Sequence, residues 1–231
     1  MEITGYKKKH VWGNSTVYLM DCMEALPQFP AGYFDLAVVD PPYGIGEDGA
    51  SNHSRGNLAA AKKYTPKSWD NAAPSPKYFD LLKQKAKNQI IWGANHFIDN
   101  LPFNTSTPCW LVWDKNNGQS DFADCELAWA SFKSAVRMFS FKWQGMLQGN
   151  MKDKEHRIHP TQKPVALYAW IYHNYLPNGG KVVDTHLGSG SNRIAAHKAG
   201  NIEFTAFEVD EEYFDASVKR FEDYARQLKL F

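Results

Sequence analysis

Short apolar runs alternate with amphipathic stretches along most of this chain of 231 residues. "FDLAVVD" (34–40) and "KVVD" (181–184) are almost wholly apolar, the pattern of a parallel strand covered on both faces. "TVYLMD" (16–21), "QIIWG" (89–93), "CWLVWDK" (109–115) and "IEFTAFEV" (202–209) also read as strands. "CELAWASF" (125–132) and "VRMFSFKW" (136–143) are β-rich and close together, which predicts an antiparallel hairpin at a sheet edge. Between the strands lie helical patterns. "CMEALPQF" (22–29) is short, while "PKYFDLLKQKAK" (76–87) and "KPVALYAWIYHNYL" (163–176) each carry a proline near the start. "SNRIAAHKAG" (191–200) ends on a capping glycine, and a last helix from about Glu211 spaces Phe214, Val218, Phe221, Ala225 and Leu228 along one stripe, with acids in its first turn. Strands alternating with helices predict an α/β fold with a mainly parallel central sheet.

Two stretches break the alternation. Residues 44–76 are rich in Gly, Ser, Asn, Lys and Pro without any period, the composition of a functional flap. Residues 133–158 carry a mixed basic segment that predicts an insertion on the sheet. No repeat divides the chain, and its length suits one domain over 1–231.

A composition of 43% hydrophobic and 22% charged residues excludes a disordered or fibrous chain. No run is long and apolar enough for a bilayer span or a signal peptide, so a soluble, cytoplasmic protein with no membrane partner is expected. Cys22, Cys109 and Cys125 form an odd set without CxxC spacing and read as buried small hydrophobes. His156, His159, His173 and His186 lack companions at a plausible ligand spacing, so no metal is expected. A net charge of +1 hides two basic stretches: Arg55, Lys62, Lys63, Lys67 and Lys77 in 52–77, and Lys133, Arg137, Lys142, Lys152, Lys154, Arg157 and Lys163 in 131–163. Basic patches on a neutral protein suit a polyanion held on one face, although solvated loops have the same composition.

Two strands end in an acid followed by unusual residues, and ligands of parallel sheets gather at such carboxyl ends. In "VVDTHLGSGSN", Gly188 and Gly190 let the backbone approach a ligand, and the helix that follows presents unpaired amides. Glu208, about twenty residues on at the end of the next strand, can accept both hydroxyls of a ribose. Together they imply an adenosine-bearing cofactor with an unphosphorylated ribose. In "VVDPPYGIG", Pro41 and Pro42 fix two φ angles and remove two amide donors, so the corner presents acceptors. Asp40 and the Pro41 carbonyl can accept both hydrogens of an amine, and Tyr43 offers a flat face to the ring that carries it. A given tetrapeptide arises by chance in roughly one chain in a thousand of this length, so "DPPY" at a strand end is a specific signal.

"DPPYG", "HPTQKP" (159–164), "VVDTHLGSGS" (182–191) and "FEVDEEYF" (207–214), in that order, resemble the β class of DNA amino-methyltransferases that use S-adenosylmethionine. "LMDCMEALP" (19–27) and the middle strands extend the resemblance over nearly the whole chain. Two departures bear on the cofactor pocket: Thr185 and His186 stand where the family commonly has Pro-Phe, and Asn192 where it has Thr. The resemblance implies a Rossmann-like methyltransferase fold with a seven-stranded, mainly parallel twisted sheet and circularly permuted motif order. It implies a target-amine corner of Asp40, Pro41, Pro42 and Tyr43. For the cofactor it implies Asp21 and Cys22 beside the adenine, Asp184 near the methionine end, His186, Gly188, Ser189 and Gly190 in the loop, and Glu208 with Val209 at the ribose. His159, Thr161 and Lys163 would open a helix covering the methionine moiety. Target recognition would fall to 133–158 and the 44–76 loop, with Arg55, Lys62, Lys63, Lys142, Lys152, Lys154 and Arg157 on the DNA.

The partner so implied is double-stranded DNA with its target base swung out of the stack. A homodimer and a restriction endonuclease on another chain are further expectations, and a phage or mobile element would suit so compact an enzyme. Family members acting on cytosine more often carry Ser in place of the motif acid, so Asp40 favours adenine N6 over cytosine N4. An RNA or protein-amide methyltransferase and a catalytically silent nucleic-acid-binding subunit are the competing classes. Phe139, Phe141 and Trp143 alternate as strand residues do, with core packing their expected role.

Overall fold

The computed structural model describes residues 2–46, 70–101, 106–118, 123–144, 147–152 and 154–227. Strands β1 (Lys8–Trp12) and β2 (Ser15–Leu19) form an antiparallel hairpin. Asp21 then caps α1 (Cys22–Ala25) by accepting from the Met23 amide at 2.8 Å. β3 (Phe34–Val39), α2 (Pro76–Lys85) and β4 (Ala86–Trp92) follow. Next come β5 (Trp110–Asp114), β6 (Cys125–Ala130), β7 (Arg137–Ser140) and a small hairpin of β8 (Trp143–Gln144) and β9 (Leu147–Gln148). The chain closes with α3 (Val165–Tyr175), β10 (Gly180–Asp184), α4 (Ser191–Ala199), β11 (Ile202–Glu208) and α5 (Glu211–Gln227).

Nine strands form one sheet in the order β1-β2-β11-β10-β3-β4-β6-β5-β7. Five of its eight pairings are parallel, so the sheet is α/β in kind, with two more strands than the seven expected. The predicted hairpin of 125–132 with 136–143 does not form. β6 lies between β4 and β5, antiparallel to both, and β7 runs parallel to β5 at the outer edge. β6 ends in the buried residues Ala128, Trp129 and Ala130, which need a strand on either side, whereas β7 is largely exposed and suits an edge. Cys22 and Cys109 are buried as expected, but Cys125 opens β6 at its exposed end and is solvent-accessible.

Alternation along the central strands sorts the core into two layers. Val17, Leu19, Leu36, Val38, Ile90, Trp92, Phe204 and Ala206 pack with α3 and α4 on one face. Tyr18, Ala37, Val39, Ile91 and Phe207 pack with α1 and α2 on the other. Covered on both sides, these strands must be apolar throughout, which is the pattern read from the sequence. On β7 and beyond, Phe139 and Phe141 stack at 5.8 Å and Phe139 meets Trp170 of α3 at 5.6 Å, the packing role expected of them. The chain leaves β10 through α4 toward β11 and leaves β3 through α2 toward β4, so these adjacent strands lead in opposite directions across the sheet. Their carboxyl ends, Asp184 and the residue after Val39, therefore flank a crevice at the switch point. Among the described residues no helix is long and apolar enough to cross a membrane.

Candidate active site

β3 delivers Asp40 to this crevice, and the corner after it is held by a side chain far away in sequence. Because Pro41 and Pro42 have no amide hydrogen, the first donors beyond Asp40 are the amides of Tyr43 and Gly44. Both point at Asp70 Oδ1, at 2.7 and 2.8 Å. Asp70 is 2% exposed, so its carboxylate clamps the turn from within. Pro41 is buried, and Pro42 and Tyr43 are half-buried. The Tyr43 ring lies on Gly93, at the end of β4, and stacks on His96 with centroids 4.9 Å apart and planes 15° apart. A Cβ built on Gly93 would fall 2.0 Å from Tyr43 Cε1, and its φ is +70°, so glycine is required here twice over.

The Tyr43 hydroxyl donates to Asp40 Oδ1 at 2.8 Å. Asp40 Oδ2 pairs with Lys163 Nζ at 2.5 Å, and the same ammonium donates to Tyr43 Oη and pairs with Glu126 Oε2, each at 3.0 Å. Glu126 projects from β6, and its other oxygen meets Lys115 Nζ at 2.6 Å. The Lys163 side chain is 2% exposed. Burial opposes its charge, but the Asp40 and Glu126 carboxylates outweigh burial and hold its pKa above the usual lysine value. Burial likewise works against ionised Glu126, yet Lys163 and Lys115 bring it down to about 2. Asp40 is pushed up by burial, against the pull of Lys163.

The second half of the site is built on β10. Asp184 is 3% exposed and accepts from the Asn192 amide at 2.9 Å and the His186 backbone at 3.1 Å. Burial raises it to about 8, these neutral donors only partly offsetting the effect. Asn192 also donates to Val38 O at 3.1 Å, tying the loop to β3, and accepts from the Tyr172 hydroxyl. Thr185 bonds Tyr78 of α2 at 2.6 Å, so Thr185 and Asn192, two of the three residues that depart from the family pattern, are built into the packing. Gly188 and Gly190 take positive φ of 49° and 72°, Gly190 immediately ahead of α4. Glu208 Oε2 accepts the Gly188 amide at 2.8 Å while Oε1 accepts the Val209 and Asp210 amides at 2.9 and 3.0 Å. Arg220 of α5 donates to Ser189 O at 2.8 Å and pairs with Glu155 at 2.7 Å, fastening the loop to the segment before α3.

His159 lies over the loop, since a Cβ on Gly188 would be 3.7 Å from its ring; it packs on Tyr213 at 4.3 Å and bonds Thr161 through Nδ1 at 3.1 Å. Burial and Lys163 lower its pKa to about 3, and burial lowers that of His186 to about 4, so both imidazoles are neutral near pH 7. Cys22 is buried and its thiol is raised well above its ordinary value, which makes it an apolar wall rather than a nucleophile. Asp21 is exposed at the neighbouring strand end, and Val209 is 60% exposed. These residues fit S-adenosylmethionine. Among the described residues the ionisable side chains at the glycine loop are the buried acids Asp184 and Glu208 and two neutral imidazoles, while the Arg220 guanidinium is committed to Ser189 and Glu155. Such a site suits a cationic, phosphate-free nucleoside better than a pyrophosphate.

The structure thus brings Asp40, Pro41 and Tyr43 together with Lys163, which stands just ahead of α3 and turns its side chain into the acid pocket. Glu126, Lys115, Gly93, Asp70 and Arg220 were not singled out from the sequence. Only Glu126 carried a local signal, an acid inside an otherwise apolar strand. Lys152 and Lys154 are exposed, Lys142 is half-buried, and Arg157 lies over the Trp143 ring at 4.4 Å. Arg55, Lys62 and Lys63, with most of the 44–76 loop, lie outside the described residues.

An acid-Pro-Pro-Tyr corner and a glycine loop thus stand side by side on adjacent parallel strands at the switch point of an α/β sheet. The model of the N6_N4_Mtase family, described as DNA methylase, matches residues 60–219, and the chain belongs to that family. The type II methyltransferase M2.MboI of Moraxella bovis is 23% identical over 250 residues, covering 94% of this chain and 90% of that protein. Two solved structures share the fold. The M1.HpyAVI–SAM complex is 17% identical with a TM-score of 0.54, covering 89% of this chain and 98% of that one. The cytosine-N4-specific PvuII DNA methyltransferase is 16% identical with a TM-score of 0.60, covering 96% and 94%.

Proposed function

We propose that this protein transfers a methyl group from S-adenosylmethionine to the exocyclic N6 amine of adenine in duplex DNA. The observation that carries the reading is the Asp40–Pro41–Pro42–Tyr43 corner beside the Gly188–Gly190 loop. S-adenosylmethionine, when bound, supplies an electrophilic methyl group on a sulfonium. Glu208 and the loop glycines hold its nucleoside, and the neutral His159 and His186 add no positive charge against the sulfonium.

The exocyclic amine is a weak nucleophile because its lone pair is delocalised into the ring. Asp40 Oδ1 and the Pro41 carbonyl accept its two hydrogens, which favours a pyramidal nitrogen with its lone pair turned outward. As the new N–C bond forms and the S–C bond breaks, Asp40 stabilises the cationic nitrogen and takes up its surplus proton. In a duplex the amine is inside the stack, so the base is swung out, and the Tyr43 ring replaces stacking worth about 1–3 kcal/mol. Asp40 favours adenine, since family members that act on cytosine more often carry Ser in its place. Lys142, Lys152, Lys154 and Arg157 are the cations offered to the DNA phosphates in this reading.

Incubation with labelled S-adenosylmethionine and unmethylated duplex DNA, followed by nucleoside mass analysis, tests this. N6-methyladenine in the wild type that falls by about a hundredfold or more in Asp40→Ala is the expected result, the usual scale for a positioned acid or base. N4-methylcytosine instead would overturn the adenine assignment, and no methylated base despite cofactor binding would overturn DNA as substrate.

A further inference from the structure

The pocket around Asp40 contains more charge than one acceptor for an amine requires. All three hydrogens of the Lys163 ammonium have partners: Asp40 Oδ2 at 2.5 Å, Glu126 Oε2 at 3.0 Å and the Tyr43 hydroxyl at 3.0 Å. The hydroxyl spends its own proton on Asp40 Oδ1 at 2.8 Å, the oxygen left over after Lys163 has taken the other. A target amine needs that oxygen. Once displaced, the phenol would be a buried donor without an acceptor, a cost of about 1–3 kcal/mol, unless a second acceptor stands within reach. Glu126 Oε2 stands 3.4 Å from the same hydroxyl. Lys115, at 2.6 Å from Glu126 Oε1, holds this second acid in place and balances its charge.

We propose that Lys163 and Glu126 are positioning residues for methyl transfer: Lys163 turns one oxygen of Asp40 aside so that the other faces the amine, and Glu126 anchors Lys163 and receives the Tyr43 hydroxyl when the amine displaces it. This rests on the methyltransferase reading given above. With the pocket empty, the phenol occupies the place of the amine on Asp40. With the base in place, the phenol shifts to Glu126, and no buried donor is left unmet. The other ionisable groups that face Asp40 are Tyr78 on α2, Tyr168 on α3 and Asp184 at the end of β10.

The test compares wild type, Glu126→Gln, Lys163→Met and Lys163→Arg for single-turnover methyl transfer to duplex DNA across pH 5 to 9, alongside cofactor affinity by calorimetry. Both Glu126→Gln and Lys163→Met should lower the transfer rate roughly ten- to a hundredfold, the scale of a small misplacement at the reacting atoms, with cofactor affinity within about twofold. The acid limb should move in opposite directions: to higher pH in Lys163→Met, because Asp40 loses its cation, and to lower pH in Glu126→Gln, because a like charge is gone. Lys163→Arg should restore most of the wild-type profile. Wild-type rate and profile in Glu126→Gln, or equal losses with unmoved limbs in both variants, would overturn the proposal. Should Lys163→Met not fold, the near-isosteric Glu126→Gln and the charge-conserving Lys163→Arg decide it. A wild type that methylates no DNA overturns the underlying reading instead, so the two failures are distinct.

Discussion

Asp40 and Asp184 stand at the carboxyl ends of neighbouring parallel strands, buried by the same sheet, and their surroundings differ in kind. Asp184 meets neutral donors, the Asn192 amide and the His186 backbone, and burial takes it up to about 8. Asp40 meets an ammonium that is itself shared with Glu126. Glu126, between two lysines, shows how far full charges can go in such a pocket, since it is drawn down to about 2 against its own burial. The topology of the sheet decides where an acid stands and burial raises both, but at Asp40 the pull of the Lys163 ammonium opposes that rise, whereas at Asp184 only neutral donors do. The half built with ions suits an amine that becomes cationic. The half built with neutral hydrogen bonds suits a loop that must hold one shape.

Gly93→Ala attacks the first half most directly. The new Cβ would fall 2.0 Å from the Tyr43 ring on a backbone of φ +70°, so the ring or the turn must move. Transfer should fall by about a hundredfold while cofactor affinity is unchanged, because displacement of about 1 Å at the reacting groups has that effect. Stopped-flow transfer with parallel calorimetry checks it, and a loss of cofactor binding of the same size would mean that the two halves are not separate.

Glu126→Gln sharpens the contrast through pH. The folded pKa of Glu126 lies below its ordinary 4.5, at about 2, so the stability it contributes is fully present above pH 4.5 and is lost as pH falls toward 2. The wild type should exceed Glu126→Gln by about 3 kcal/mol at neutral pH, as an upper bound, with the gap narrowing below pH 4.5. Urea unfolding from pH 7 down to pH 3 measures this, and a gap independent of pH would show that the carboxylate carries no special charge.

Asn192→Ala is the gentlest change and belongs to the second half. It removes the donor to Asp184 and to Val38 O, leaving acceptors unmet at about 1–3 kcal/mol. Cofactor affinity should weaken roughly tenfold, with a smaller effect on the transfer rate at saturating cofactor. If the rate falls and affinity does not, Asn192 serves the amine pocket rather than the loop.

Much of this site is legible from local sequence because its devices are local. Two prolines stiffen a corner whatever surrounds it, glycines at 188 and 190 permit positive φ, and an unbroken apolar run states that both faces of its strand are covered. The same reasoning failed at β6 and β7, whose residues fit an edge hairpin by pattern alone. Which strands pair depends on what the helices leave uncovered, and β5 took the place between them.

The sequence by itself thus determined the α/β alternation, the two acid-ended strands and the residues at their tips. Only the tertiary structure decided the company those residues keep. Asp70 reaches the corner from 27 residues away, Glu126 reaches Tyr43 from 83 and Lys163 from 120. Arg220 reaches the glycine loop across 31. The physical reason is that a charge in water is cheap wherever it falls in the chain, so sequence bears little trace of its partner. Burial makes that partner obligatory, and which one arrives is settled by sheet order and helix packing.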